Sequence, residues 1–370
     1  MVRRFLYLNG AAILSVVIFH ALGMGFVAMF DWAHRYLPAS ASANSAVGSL
    51  GYYVLRLLEQ IVVFCIPAFL FVSGFFVAAA SGRSRDTISW EIVLARVKKL
   101  LIPYLIWSLI AMALQVVLQG DRISFEVFVI NLLIGRSNDV LYFVPLLIQF
   151  YLLSPWLVRL VRWNWKVVLG VAGILQLCVQ LLPYSVYLGL NIPWMESAAL
   201  AIPRWLFLAR IFWFPLGIVF GFYLDQFKAS LYKLRWVWFT IALILIPAGA
   251  IEWEVYYRLS GLTWLPHRET ILDSVYTIAT LFSFFGFSDI KLPMAKALER
   301  LGKDSYGIYL THALFILYLA KIIYHAAPQL LAHQILFTGL LFIASLFGPL
   351  ALMRLSERTP FRRFYGYLFG

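Results

Sequence analysis

Charge is scarce in this chain. Asp, Glu, Lys and Arg together make up 13% of the residues while 63% are hydrophobic, and a soluble domain carries about twice that share of charge. A chain of 370 residues so poor in polar groups cannot cover a globule in water, so the solvent for most side chains is lipid. Acidic residues are scarcer still, 17 against 30 Lys and Arg. Cysteine is almost missing: Cys65 and Cys178 both fall inside apolar runs, which excludes a disulfide framework and a cysteine-rich zinc site. Gly/Ser linkers, low-complexity tracts and an acidic tail are lacking, as is the internal repeat common in transporters. These absences imply one domain over 1–370, with no metal.

What the sequence does have is long apolar runs. A hydrocarbon core about 30 Å thick takes roughly 20 apolar residues per helix. Runs of this kind lie near 6–30, 52–80, 100–118, 139–158, 167–186, 205–224, 235–251, 270–287, 305–325 and 334–353. They predict an all-α polytopic membrane protein with about ten transmembrane helices. The first run follows Arg3 and Arg4 in the manner of a signal peptide, but it is too long for an h-region and is expected to be a retained helix.

Orientation follows from Lys and Arg, which concentrate in cytoplasmic loops. Alternate connections carry Arg3 and Arg4; Arg83, Arg85, Arg96, Lys98 and Lys99; Arg159, Arg162 and Lys166; Lys228, Lys233 and Arg235; Lys291, Lys296, Arg300 and Lys303; and Arg354, Arg358, Arg362 and Arg363. The opposite side holds Arg35, Arg122, Arg136, Arg204, Arg258 and Arg268. Both termini are therefore expected in the cytoplasm. The net charge of +13 needs no nucleic acid to explain it, because topology and anionic lipid account for a basic inner face.

With only short connections outside the membrane, any chemistry must be built from the helices and their ends. Ionisable groups inside hydrocarbon are costly and mark candidate sites. His20, about 14 residues into the first helix, lies roughly 21 Å across by helical rise. Two readings stand for it: a neutral imidazole acting as base, or a ring hydrogen-bonded to a neighbouring helix. Asn9 precedes it by eleven positions, three turns plus about 20°, so the two share a face about 16 Å apart. Arg96 and Lys99, at i and i+3 beside Lys98, could hold phosphates or simply touch lipid headgroups. Arg56 and Glu59 on helix two, Arg210 on helix six, and Glu269 with Asp273 at the start of helix eight suit a hydroxyl-rich acceptor or form ion pairs between helices. His312, counted from a helix opening at Ser305, lies only about 10 Å in. That depth sets it about 10 Å from His20, too far for a direct acid–base pair.

Six segments in order resemble the acyltransferase family 3 membrane proteins. They are L-N-G-A-A-I-L-S-V-V-I-F-H ending at His20, I-P-A-F-L-F-V-S-G-F around Ser73 and Gly74, and R-V-K-K-L-L-I-P-Y-L-I-W from Arg96 to Trp107. After them come L-Y-F-V-P-L-L-I-Q-F-Y-L-L-S-P from Leu141, G-K-D-S-Y-G-I-Y-L-T-H ending at His312, and S-E-R-T-P-F-R-R from Ser356. The resemblance runs nearly end to end. It implies an enzyme of the plasma (inner) membrane that moves acyl groups, commonly acetyl from acetyl-CoA, onto hydroxyls of cell-surface glycans and related acceptors, with glycan-assembly proteins as possible partners. His20 is then the implied general base, Arg96, Lys98 and Lys99 the implied donor site, and Asn9, Arg56, Glu59, Arg210, Glu269, Asp273 and His312 the acceptor-binding candidates. The family's first-helix Arg is Asn9 here, and its second basic residue before helix three is Lys99, which keeps the charge but loses the bidentate geometry of Arg. A rival from another class is an exporter or flippase of a lipid-linked or polymeric glycan, its path lined by the same polar residues.

Overall fold

The computed structural model describes residues 2–38, 46–82, 86–120, 122–262 and 269–370. Among them the chain is helical with no strand. In chain order the helices are α1 (Val2–Phe30), α2 (Leu50–Val62), α3 (Cys65–Ser81), α4 (Trp90–Gln119) and α5 (Phe125–Ile134). Next come α6 (Phe143–Leu181), α7 (Tyr184–Tyr187), α8 (Pro193–Ala201), α9 (Trp213–Lys233) and α10 (Arg235–Ser260). The last four are α11 (Ile271–Gly286), α12 (Ala295–Ala326), α13 (Gln334–Arg358) and α14 (Tyr365–Phe369). Arg83, Arg85 and Arg268, used above for orientation, lie outside the described residues.

Seven of the described helical segments are long and apolar enough to cross a membrane, as a polytopic membrane protein requires. Each expected span overlaps helical residues, but the bounds and the one-to-one match differ for physical reasons. The segment 50–81 is interrupted at Val63 and Phe64, ahead of Pro67, whose ring cannot accept the carbonyl four residues before it. The runs at 139–158 and 167–186 are two arms of α6 separated at Asn164, which leaves helical geometry (φ −159°, ψ 92°). Its side chain caps the second arm, Oδ1 accepting from the backbone N–H groups of Lys166 at 3.1 Å and Val167 at 3.3 Å. The expected span at 270–287 is the 16-residue α11, about 24 Å long.

The chain folds into two compact units interleaved along the sequence, one of Met1–Ile66, Tyr184–Ile192 and Ser230–Leu352, the other of Pro67–Pro183, Pro193–Ala229 and Met353–Gly370. In the first unit α1 and α12 run parallel. Asn9 meets Ser305, His20 meets His312 and Trp32 meets Tyr324. Their close approach depends on two glycines, since a Cβ on Gly10 would run into the Leu298 carbonyl and one on Gly302 into the Leu6 carbonyl. Gly302→Val is expected to force α1 off α12 and remove the monodisperse folded peak in detergent size-exclusion chromatography. The same substitution at Gly339, where a Cβ meets nothing within 4 Å, leaves that peak in place.

In the second unit α3 packs on α9 by the same device, a Cβ on Gly74 striking the Phe214 carbonyl and one on Gly217 the Phe71 carbonyl. Trp107 on α4 donates its indole N–H to the Leu368 carbonyl of α14 at 2.8 Å, which ties the end of the chain to this unit.

Candidate functional site

His20 lies two-thirds of the way along α1, half-buried, with the Phe19 ring edge-on to it at 5.6 Å. Its ring centre is 5.3 Å from that of His312, the planes tilted by 41°. This corrects the expectation that the two histidines differ in depth by about 10 Å. The sequence reading starts the helix at Ser305, whereas α12 begins at Ala295. His312 therefore lies roughly 26 Å along its helix and His20 roughly 27 Å along α1. The signal for the longer helix is Ala295-Lys296-Ala297-Leu298-Glu299-Arg300-Leu301, a run of strong helix formers just ahead of the apolar segment.

His312 is fully buried. Its Nδ1 faces the carbonyls of Tyr309 at 2.7 Å and Ile308 at 3.2 Å. A carbonyl only accepts, so Nδ1 carries a hydrogen and, in the neutral ring, Nε2 holds a lone pair. Among the described residues Nε2 has no hydrogen-bond partner.

Asn9 faces α12, as does His20, but its amide is engaged. Nδ2 donates to the Gly302 carbonyl and to Ser305 Oγ, each at 2.8 Å, and Ser305 Oγ donates to the same carbonyl at 3.0 Å. The residue that stands where the family has Arg is thus a polar tie between α1 and α12.

The acceptor candidates of the first unit form a second cluster. Arg56 Nη1 donates to Glu59 Oε2 at 2.8 Å, with both side chains 6% exposed. This pair lies one turn apart on α2. The Arg56 guanidinium stacks 4.4 Å from the Phe26 ring centre, with Tyr52 and Trp253 at 5.4 and 5.5 Å. Phe26 places this cluster about 9 Å further along α1 than His20. Asp273 is buried and doubly used. It closes a capping box with Thr270 at the start of α11, and its Oδ1 accepts from Gln60 Nε2 at 2.9 Å. Glu269 precedes α11, half-buried and outside the helix. Gln60 and Glu252, which accepts from Thr270 Oγ1 at 2.8 Å, are members that sequence reasoning missed. The signal for Gln60 was a third polar residue in the run Arg56 to Gln60 of an otherwise apolar helix.

The remaining candidates belong to the second unit. Arg96, Lys98 and Lys99 do not precede their helix but lie inside α4, whose start at Trp90 follows Ser89. Arg96 is half-buried, donating to the Phe76 carbonyl at 3.1 Å with its guanidinium 5.7 Å from the Tyr151 ring centre, while Lys98 and Lys99 are exposed. Arg210 lies outside the long helix α9. It ends the 3-10 turn Phe207–Arg210 before α9, donates to the Arg204 carbonyl at 3.1 Å and lies 5.6 Å from the Tyr142 ring centre.

Helices of membrane-spanning length define a polytopic membrane protein, and two of them, α1 and α12, bring two imidazoles together deep along their length. A family model for an acyltransferase domain matches residues 5–354, a range that includes His20, the α4 cations and His312. The chain belongs to acyltransferase family 3 and is by that membership a membrane acyltransferase. No curated protein and no solved structure compared with it matches.

Proposed function

We propose that this protein is an O-acyltransferase of the plasma membrane that moves an acyl group, acetyl first among the candidates, from acyl-CoA to a hydroxyl of a cell-surface or exported glycan. The observation that carries this reading is family membership over residues 5–354, and the half-buried imidazole of His20 beside His312 supports His20 as the general base. In this proposal the chain crosses the bilayer ten times with both termini in the cytoplasm. The first unit supports that orientation: Arg4 caps the carbonyls of Phe287, Ser288 and Ile290, and Arg235 pairs with Asp289, which gathers basic residues at one end of its helices.

The base removes the proton of the acceptor hydroxyl as its oxygen attacks the thioester carbonyl. The C–O bond forms, the C–S bond breaks, and the CoA thiolate takes up the proton from His20. Arg96, Lys98 and Lys99 neutralise the phosphates of the donor. Lys98 and Lys99 have free access to an anion, and the stacked Arg96 fixes the helix that presents them. Arg56, Glu59 and Asp273, about 9 Å beyond His20 along α1, supply polar contacts to the acceptor, with Glu269 at the rim.

The test is transfer of labelled acetyl from acetyl-CoA in sealed vesicles that contain the protein and the glycans of its host. Labelled glycan that depends on His20 supports the reading, and glycan movement without acylated product replaces it with export. Lys98→Gln/Lys99→Gln is expected to raise KM for acyl-CoA about tenfold with kcat little changed, because it removes binding common to ground and transition states. An unchanged KM would remove these lysines from the donor site.

A further inference from the structure

We propose that His312 is the positioning partner of His20, its Nε2 accepting a hydrogen bond from the His20 ring and so fixing which nitrogen of His20 is left to act as base. The inference rests on His20 being the general base. It goes further by assigning the deep histidine of α12 a part in the reaction instead of in acceptor binding.

Three observations lead to it. First, the backbone fixes the His312 tautomer, since Nδ1 is directed at the Tyr309 and Ile308 carbonyls, 2.7 and 3.2 Å away. The lone pair is thereby confined to Nε2. Second, Nε2 is buried with no hydrogen-bond partner among the described residues, in a residue of 0% exposure, an arrangement that costs free energy unless a donor reaches it. Third, the ring centres stand 5.3 Å apart. Two imidazoles joined by a linear N–H···N bond of about 2.9 Å, with each nitrogen about 1.1 Å from its ring centre, have centres roughly 5.1 Å apart. The observed spacing is therefore close to that of a hydrogen-bonded pair, and catalytic hydrogen bonds commonly tighten when substrate is bound.

The consequence for the reaction is a division of labour between the two nitrogens of His20. The nitrogen facing His312 keeps its hydrogen and donates it to Nε2. The opposite nitrogen presents its lone pair to the acceptor hydroxyl, receives that proton as the C–O bond forms and the C–S bond breaks, and returns it to the CoA thiolate. His312 ends the cycle unchanged. This is the orienting part that a carboxylate plays in a serine hydrolase triad, performed here by a neutral ring, which avoids placing a further charge in the membrane.

The experiment compares His312→Phe, which keeps an aromatic ring and lacks the acceptor, with His312→Gln, which keeps an amide oxygen, in detergent-solubilised or vesicle-reconstituted full-length protein. Melting temperature and size-exclusion profile are measured beside the acetyl-transfer kinetics. The expected result is a loss of kcat of about tenfold or more in His312→Phe with KM for acetyl-CoA unchanged, partial recovery in His312→Gln, and no further loss when His312→Phe is added to His20→Ala. If His312→Phe does not fold, His312→Met makes the same comparison. Wild-type kcat in the Phe or Met variant would overturn the proposal, and so would equal losses in Gln and Phe variants of equal stability, the signature of packing alone. Activity retained in His20→Ala sinks the general-base reading itself, whereas an inactive His20→Ala beside a fully active His312→Phe sinks only the partnership.

Discussion

His20→Ala is expected to abolish acyl transfer while leaving a folded, membrane-inserted protein. General base catalysis contributes about 10²- to 10⁴-fold, so kcat should fall at least a hundredfold. The fold should survive because the joint between α1 and α12 is made elsewhere along their length. Asn9 ties to Gly302 and Ser305, Gly10 and Gly302 let the backbones touch, and Arg35 donates to the Tyr324 carbonyl at 3.2 Å while stacking 4.6 Å from its ring centre. His20 itself is only half-buried. The measurement is initial rate of labelled acetyl transfer with melting temperature as control. A wild-type rate in purified His20→Ala would show that this imidazole is not the base.

The second large effect is expected on stability. Arg56→Leu takes the guanidinium away from a Glu59 carboxylate whose side chain is 6% exposed, and breaking a buried pair from one side costs about 3–5 kcal/mol in protein interiors. It also removes the cation stacked on Phe26, Tyr52 and Trp253. Arg56→Leu should therefore lower the melting temperature sharply, and adding Glu59→Leu should restore much of the loss, because desolvation of two charges largely cancels their attraction. The thermal stability of both variants and of Glu59→Leu alone closes the cycle. Additive effects across the three would mean that the two side chains do not act as a pair. If the double variant is stable yet slow with acceptor, the cluster has a part in binding as well.

The membrane class was legible because lipid leaves its mark on every residue. Few charges, long apolar runs and lopsided Lys and Arg are all first-order consequences of burial in hydrocarbon. Helix ends were less legible, and the site suffered from it. Taking α12 to start at Ser305 instead of Ala295 shortened the path to His312 by about 15 Å and hid its partner. The omitted turns are Lys-, Glu- and Arg-rich, so they do not register as membrane helix, yet their propensity is high. Starting α4 at residue 100 likewise put Arg96 outside the helix, where it could not be seen to turn toward Tyr151. Arg210 shows the opposite error. Its apolar neighbours suggested a span, but Pro203 breaks the chain before it and the helix resumes only at Trp213. The candidate residues themselves were found by one rule, that an ionisable group in an apolar run has a reason to be there. Which of them meet depended on register, which periodicity does not encode.

The pairing of the first long helix with the twelfth sets a schedule for biosynthesis. Asn9 and its acceptor at Gly302 are separated by 293 positions, and at about 5–20 residues per second a ribosome takes roughly 15–60 s to cover that distance. During that interval α1 is already made and must hold an amide and an imidazole without the helix that later receives them. The Arg56–Glu59 pair carries no such delay, since both members lie one turn apart on α2 and can neutralise each other as that helix enters the membrane. Nascent α1 thus enters the membrane with these polar groups unmatched, whereas α2 enters with its charges already paired.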